Sequence, residues 1–216
     1  MSIITKDIFI AENSVTLTNQ RAFFWQAEKK LVLSDLHIGK TAHFRRAGIA
    51  IPAAVLENDL KRLNLLIEYF DIRTILIVGD LFHAENNTDI DRFKLWRTTY
   101  AHIHFELIKG NHDRFKDAFY AEMDISIFKT HKDIGNLRFV HDETHCQDDK
   151  FCVSGHTHPG IVLKGKGKVR FKLPCFEVSE HRLILPAFSE FTGLNTTKSV
   201  PSAVCFAFTD KSIFKV

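Results

Sequence analysis

Ten residues of this chain stand out as able to do metal or acid–base chemistry, and they fall in five short clusters. These are Asp35 and His37; Asp80 and His83; Asn111, His112 and Asp113; His141; and His156 with His158. Carboxylate, imidazole and amide-oxygen donors suit borderline divalent cations such as Mn²⁺, Fe²⁺ or Zn²⁺. No thiolate is among them, which argues against a structural zinc and for a catalytic metal site. Taken singly, each cluster has an ordinary explanation as a chance Asp-x-His, an Asx-capped turn or a solvated loop. Six of the twelve histidines lie inside the five clusters, however, and caps and turns do not explain that concentration.

Each cluster closes a short apolar run: LVLSDLH at 31–37, ILIVGDLFH at 75–83, FELIKGNHD at 105–113, LRFVHD at 137–142 and FCVSGHTH at 151–158. Such runs read as buried strands that end in a site. Between the first two, Pro52 suits a first helical turn and Leu56, Leu60, Leu63, Ile67 and Phe70 recur at helical spacing, so a crossover helix is expected over 51–70. A second helix is expected over 89–100 and a shorter one after Asp113, giving the β/α alternation of a parallel sheet over the first 120 residues. From about residue 125 strands dominate, with a hairpin turn at 165–168 and strand-like segments at 169–173, 175–179, 182–186 and 203–208. The expected fold is α/β, two sheets packed face to face with helices outside. Ligands then gather at the carboxyl ends of the strands. If strand geometry continues that far, the i, i+2 pairs Asp35/His37 and His156/His158 each face one side. Glycines at 79, 110 and 155 allow sharp exits from the strands.

The order DLH, GDLFH, GNHD, a lone His and GHTH over residues 31–158 resembles that of the calcineurin-like metallophosphoesterases. More narrowly, LSDLHIGKTAHFRRAGIAIP at 33–52 and LPAFSEFTG at 185–193 are similar to the DNA-ligase-associated metallophosphoesterases, a bacterial lineage linked to DNA repair. The resemblance implies a four-layer α-β-β-α sandwich of two mixed sheets with two divalent metal ions, Mn²⁺ first among the candidates. It implies Asp35, His37 and His158 as ligands of one ion, Asn111, His141 and His156 of the other, and Asp80 as the bridge. His112 would be the acid that protonates the leaving oxygen, with Asp113 orienting it and holding it cationic. Elementary chemistry agrees, since two cations about 3.5–4 Å apart can share a carboxylate and clamp the attacking and leaving oxygens of a phosphate. An imidazole titrating near neutrality can protonate an alkoxide. Two positions depart from the common pattern. His83 stands where many members carry Asp, as an added ligand or a support of one. His141 and His145 both offer themselves as the fourth-motif ligand, and His141 is favoured because it directly follows Leu137–Val140.

Lys40, Arg45 and Arg46 follow the first motif and are expected to hold substrate phosphates, Arg bidentately and Lys as a point charge. Arg114 and Lys116 follow the third. The cations at 164, 166, 168, 170 and 172 are read chiefly as solvated or edge-protecting. The twenty phenylalanines are assigned to core packing.

With 216 residues, 45% hydrophobic and 25% charged, the chain suits one domain over 1–216 and excludes disorder and fibrous repeats. No apolar run approaches the ~20 residues of a membrane span, and no leader pattern opens the chain, so a cytoplasmic protein is expected. A net charge of +3 is too small for indiscriminate nucleic-acid binding. Cys146, Cys152, Cys175 and Cys205 form no CxxC or zinc-ribbon spacing and are expected to be reduced thiols. The leading function is a two-metal phosphodiesterase acting on DNA, a repair (endo)nuclease. The resemblance adds functional association with DNA ligase and helicase repair proteins. The alternatives are a phosphatase or phosphodiesterase of small nucleotides and a scaffold that keeps the fold without catalysis. A scaffold should lack ligands, and none is missing.

Overall fold

In the computed structural model, residues 2–52, 54–83, 85–147, 149–165 and 167–216 are described. The first sheet runs in sequence order: β1 (Thr5–Ile10), β2 (Asn13–Thr18), β3 (Phe23–Trp25), β4 (Lys30–Leu33), β5 (Thr74–Val78), β6 (His104–Ile108) and β7 (Ile125–Phe128). It is antiparallel up to β4 and parallel from β4 to β7. The second sheet is built from β8 (His131–Ile134), β9 (Leu137–Val140), β10 (Phe151–Ser154), β12 (Arg170–Val178), β13 (Arg182–Ile184), β14 (Val204–Thr209) and β15 (Ser212–Lys215), in the order β15-β14-β12-β13-β10-β9-β8. β11 (Gly160–Lys164) pairs only with β12. Four α-helices are present among the described residues: α1 (Lys40–Arg46), α2 (Ala54–Tyr69), α3 (Thr88–Thr99) and α4 (Asp117–Ala121).

Strands β4, β5 and β9 are buried along their whole length or nearly so because they have apolar neighbours on both faces. On β5, Ile75 and Ile77 pack against Leu63, Leu66, Phe93 and Tyr120 of the helices, while Leu76 and Val78 meet Phe139, Val153 and Leu183 of the other sheet. Two alternating faces therefore weld the helix layer to one side of the first sheet and the second sheet to the other. Each side chain so buried contributes about 1.5–3 kcal/mol. The outer face of the second sheet carries a smaller cluster, Ile161, Cys175, Cys205 and Ala207, with Leu163, Leu173 and Phe214 against it. Two mixed sheets with helices are the expected architecture.

The helix expected at 51–70 is present with narrower bounds as α2, the one expected at 89–100 is present as α3 one residue earlier in the chain, and α4 is the short one after Asp113. Helix α1 was not foreseen. Seven residues carry too little periodicity to announce it, and Asp89 at the head of α3 secures it by accepting from Ala42 N and Thr41 Oγ1. The segments 169–173 and 175–179 form one strand, β12. The turn expected at 165–168 includes residue 166, which lies outside the described residues. No helix among the described residues is long and apolar enough to cross a membrane.

The cysteines depart from expectation. Cys146 and Cys152 form a disulfide with Cα atoms 5.7 Å apart, whereas Cys175 and Cys205 are free and buried. The loop after His141 returns to start β10 beside itself. Chain reversal over six residues thus supplies a proximity that no CxxC-type spacing signals. Such bonds persist mainly in oxidising surroundings.

Candidate metal centre

Two groups of donors lie at the strand ends: Asp35, His37 and His158 form one, and Asp80, His141 and His156 the other. In the first, His158 Nε2 is 3.2 Å and His37 Nε2 3.9 Å from Asp35 Oδ1. In the second, His141 Nε2 lies 3.4 Å from Asp80 Oδ2, 3.1 Å from Asn111 Oδ1 and 3.2 Å from His156 Nδ1. Asp80 faces both groups, because His37 Nε2 is also 3.9 Å from its Oδ2. His145, the other candidate for the fourth motif, belongs to neither group. It lines a cavity of about 250 Å³ that Asn111 and His141 also border, together with Lys109, Lys129 and Asp142.

The i, i+2 pairs Asp35/His37 and His156/His158 do not continue the strands that precede them, contrary to expectation. β4 ends at Leu33 and β10 at Ser154, so neither pair lies on a strand. Asp35, His37, Asp80, His156 and His158 all adopt left-handed backbone, with φ of 56°, 48°, 52°, 65° and 52°. Non-glycine residues rarely do so, and clusters of them mark sites whose surroundings hold them in place. The clamps are visible. Asp35 N donates to Gly79 O and His37 N to Asp80 O. His156 N donates to Asp35 Oδ2, and His112 N donates to Asp80 Oδ1 at 3.0 Å. The glycines are needed for space, since a Cβ on Gly110 would sit 2.1 Å from Asp80 Oδ1 and one on Gly79 2.0 Å from His141 Nδ1.

These residues suit divalent ions. Asp35 Oδ1 and both ring nitrogens of His37 are buried without a hydrogen-bond partner in the described structure, and such orphaned polar atoms at one spot are costly unless an ion engages them. His141 Nδ1 faces Val78 O at 3.1 Å, a contact that fixes the ring and leaves Nε2 toward Asp80. Charges follow the same geometry. Burial pushes His37 down to about 3 against the pull of Asp35 and Asp80. Burial opposes the charge of His141 too, but its hydrogen bond to Asp80 and the charge of Asp35 raise it to about 9.

Other expected residues distribute unevenly. The His112 ring stacks on His83 at 4.5 Å and meets His37 edge-on at 5.3 Å. Burial lowers its pKa, with Asp80 opposing. Asp113, expected to orient His112, is instead a buried carboxylate accepting from the backbone N–H of Leu81, Phe82 and Gly110. It ties the β5 exit to the β6 exit, and burial raises it to about 6. Lys40 is half-buried, its pKa lowered by burial despite Asp35 and Asp80, and its Nζ lies 6.0 Å from the Phe191 ring. Arg45, expected to contact substrate, is paired with buried Asp89 at 3.2 Å. Arg46 instead lines a cavity of about 630 Å³ with His43, Ala47, Glu85, Arg114 and Phe115.

Sequence reasoning missed a buried brace. Arg62 on α2 pairs with Asp59 at 2.7 Å and with Glu190, and donates to Phe188 O. The segment it grips is joined to the first motif, with Phe188 N on Ser34 O and Ser189 N on Asp35 O. Nothing in the spacing of Asp59 and Arg62 distinguishes them from an exposed i, i+3 helix pair.

A two-sheet α/β sandwich with two histidine–carboxylate donor groups meeting at one aspartate is the build of a metal-dependent phosphoester hydrolase. The chain belongs to the calcineurin-like phosphoesterase family, whose sequence model matches residues 29–158. Among solved structures it is similar to the crystal structure of the Pseudomonas putida nuclease MPE, at 28% identity and a TM-score of 0.81, with 94% of this chain and 96% of that chain covered. Comparison with curated protein sequences gives no match.

Proposed function

We propose that residues 1–216 form one catalytic domain, a two-ion phosphodiesterase acting on nucleic acid as a repair-associated (endo)nuclease of the DNA-ligase-associated subgroup. The observation that carries the reading is Asp80, whose carboxylate faces His37 of one donor group and His141 of the other. The similarity to a nuclease over nearly the full length of both chains supports the substrate class. An association with ligase and helicase partners rests on the subgroup motifs alone.

Asp35, His37 and His158 would hold one divalent ion, and Asn111, His141 and His156 the other, with Asp80 shared and Mn²⁺ the first candidate by donor type. Ions held there would supply Lewis acidity and a charge clamp on the attacking and leaving oxygens of an in-line displacement. The protein's own groups do the rest. Lys40 places a positive charge beside Asp35 and Asp80, suited to a non-bridging phosphate oxygen. His112, fixed by its backbone bond to Asp80 and its stack on His83, delivers a proton to the departing oxygen. Arg46 and Arg114 flank the cavity that the rest of the substrate would enter. That cavity also suits a single nucleotide, which favours small nucleotides as the second reading.

The test is hydrolysis by Mn²⁺-supplemented protein of a bis-aryl ester, a mono-aryl ester, a cyclic nucleotide and single-stranded DNA. Bis-ester and DNA cleavage should dominate. Cyclic-nucleotide or monoester turnover at least tenfold faster than both would transfer the assignment to the second reading.

The elevated His141 yields a prediction of sign. A ligand imidazole must be unprotonated at Nε2, yet in the ion-free protein His141 holds its proton up to about pH 9. Ion binding at pH 7.5 should therefore release a proton, and affinity should rise by up to about tenfold per pH unit until about 9. Calorimetric Mn²⁺ titrations in buffers of different ionisation heat check this. Binding with no proton release would remove His141 from the ligand set.

A further inference from the structure

A hairpin leaves the centre directly from one of its ligands. Asn195 N donates to His158 O and Gly160 N to Asn195 O, and β11 then pairs antiparallel with β12 from Gly160/Pro174 to Lys164/Arg170. Partners across an antiparallel pair share a face. Val162, Lys164, Arg170 and Lys172 therefore stand on one face, and Ile161, Leu163, Phe171 and Leu173 on the other. Ile161, Leu163 and Leu173 of the second face pack on Cys175, Cys205 and Ala207, which turns the first outward, and all four of its residues are exposed. From Pro159 to Phe176 the sequence contains no Asp or Glu. Among the described residues Lys164, Lys168, Arg170 and Lys172 make no ion pair. Protection of a free edge explains cations on either strand of this hairpin, since Arg170–Pro174 of β12 pairs with β11 alone, but it does not require that they share one outward face with no carboxylate near them in the chain.

We propose that the outward face of the β11–β12 hairpin is a docking surface for a nucleic-acid strand whose scissile phosphate lies at the Asp35/Asp80 centre. The inference rests on the nucleic-acid reading above and names where the flanking strand runs. Charge complementarity selects the occupant: an unneutralised cationic face, joined through His158 to a phosphoester centre, matches a polyanion of repeated phosphates. At about 3.3 Å per residue, Lys164 lies at most roughly 20 Å from His158. At about 3.4 Å per nucleotide that reach corresponds to some six nucleotides.

The test compares the Mn²⁺-loaded full-length protein with the triple variant Lys164→Gln, Arg170→Gln, Lys172→Gln. The substrates are single-stranded DNA of 4 and 20 nucleotides and a bis-aryl phosphodiester, each between 50 and 200 mM salt. On the 20-mer, kcat/KM should fall about 10–20-fold at the lowest salt, and its log–log salt dependence should flatten by about 2, near 0.7 for each lost phosphate contact. The 4-mer and the small diester should change less than twofold, and Lys164→Arg, Lys172→Arg should behave as wild type. If the wild type cleaves the small diester but no DNA, the nucleic-acid reading fails and the docking surface with it. If the wild type cleaves DNA and the triple variant keeps its salt and length dependence, the docking surface alone is overturned. Equal losses on all three substrates overturn it as well, making the hairpin a support of His158. Capture of the wild type, but not the variant, by phosphatidylserine vesicles with unaltered DNA kinetics reassigns the face to a membrane surface.

Discussion

Asp80→Ala is expected to abolish phosphoester hydrolysis and to release both bound ions. Its Oδ2 belongs to one donor group and faces the other, 3.4 Å from His141 Nε2 and 3.9 Å from His37 Nε2, while Oδ1 accepts from His112 N. Removing the carboxylate subtracts one negative charge from each ion position and frees the segment carrying His112. Loss of an ion clamp worth several kcal/mol in the transition state corresponds to a rate decrease of about 10³-fold or more. Exhaustive chelation of the wild type should have the same effect, reversed by added Mn²⁺. The carboxylate is buried, with a pKa of about 2 set by burial against its hydrogen bond from His141. A folding control by circular dichroism is therefore part of the measurement. Elemental analysis showing two ions retained, or undiminished turnover in a folded variant, would refute a shared-ligand role.

The second large effect concerns His112. Its ring stands against His37 and His83 rather than among the donor atoms of either group, the placement expected of a proton donor beside the ions. His112→Ala should retain both ions while turnover of an ester with a poor leaving group drops by roughly 10²–10⁴-fold. An activated aryl ester should lose far less, because its leaving oxygen needs little protonation. Burial lowers the His112 pKa from its ordinary value, and Asp113 is turned to backbone amides instead of to this ring. The protonated form thus belongs to the acid side of neutrality, so poor-leaving-group turnover should decline with rising pH earlier than turnover of the activated ester. Equal losses on both esters, or departure of an ion, would show that His112 acts as a ligand or a support.

The clusters were legible in the sequence because a chain that buries a strand on both faces must write it as an unbroken apolar run, and polar residues can resume only at the strand's end. That rule alone points to Asp35, Asp80, Asn111, His141 and His156, and it separates His141, next to Val140, from His145, four residues farther along. The β/α alternation, the crossover helix and the later strand-rich half follow from the same periodicities. The tertiary structure decided what depends on neighbours distant in sequence. Left-handed backbone at five of the candidate ligands is held by hydrogen bonds from other motifs, so no local propensity could announce it, and a strand-like extrapolation of DLH and HTH failed for that reason. Arg45 was drawn from the substrate to Asp89, forty-four residues away, because a buried carboxylate demands a partner. Asp113 met three amides before it could meet His112. The Cys146–Cys152 bond arose from chain reversal, and the Arg62 brace from helix α2 lying over the segment that backs Asp35. In each case residue type announced a capacity for charge or hydrogen bonding, and only packing selected the partner, because burial makes an unpaired polar group too costly to leave unmet.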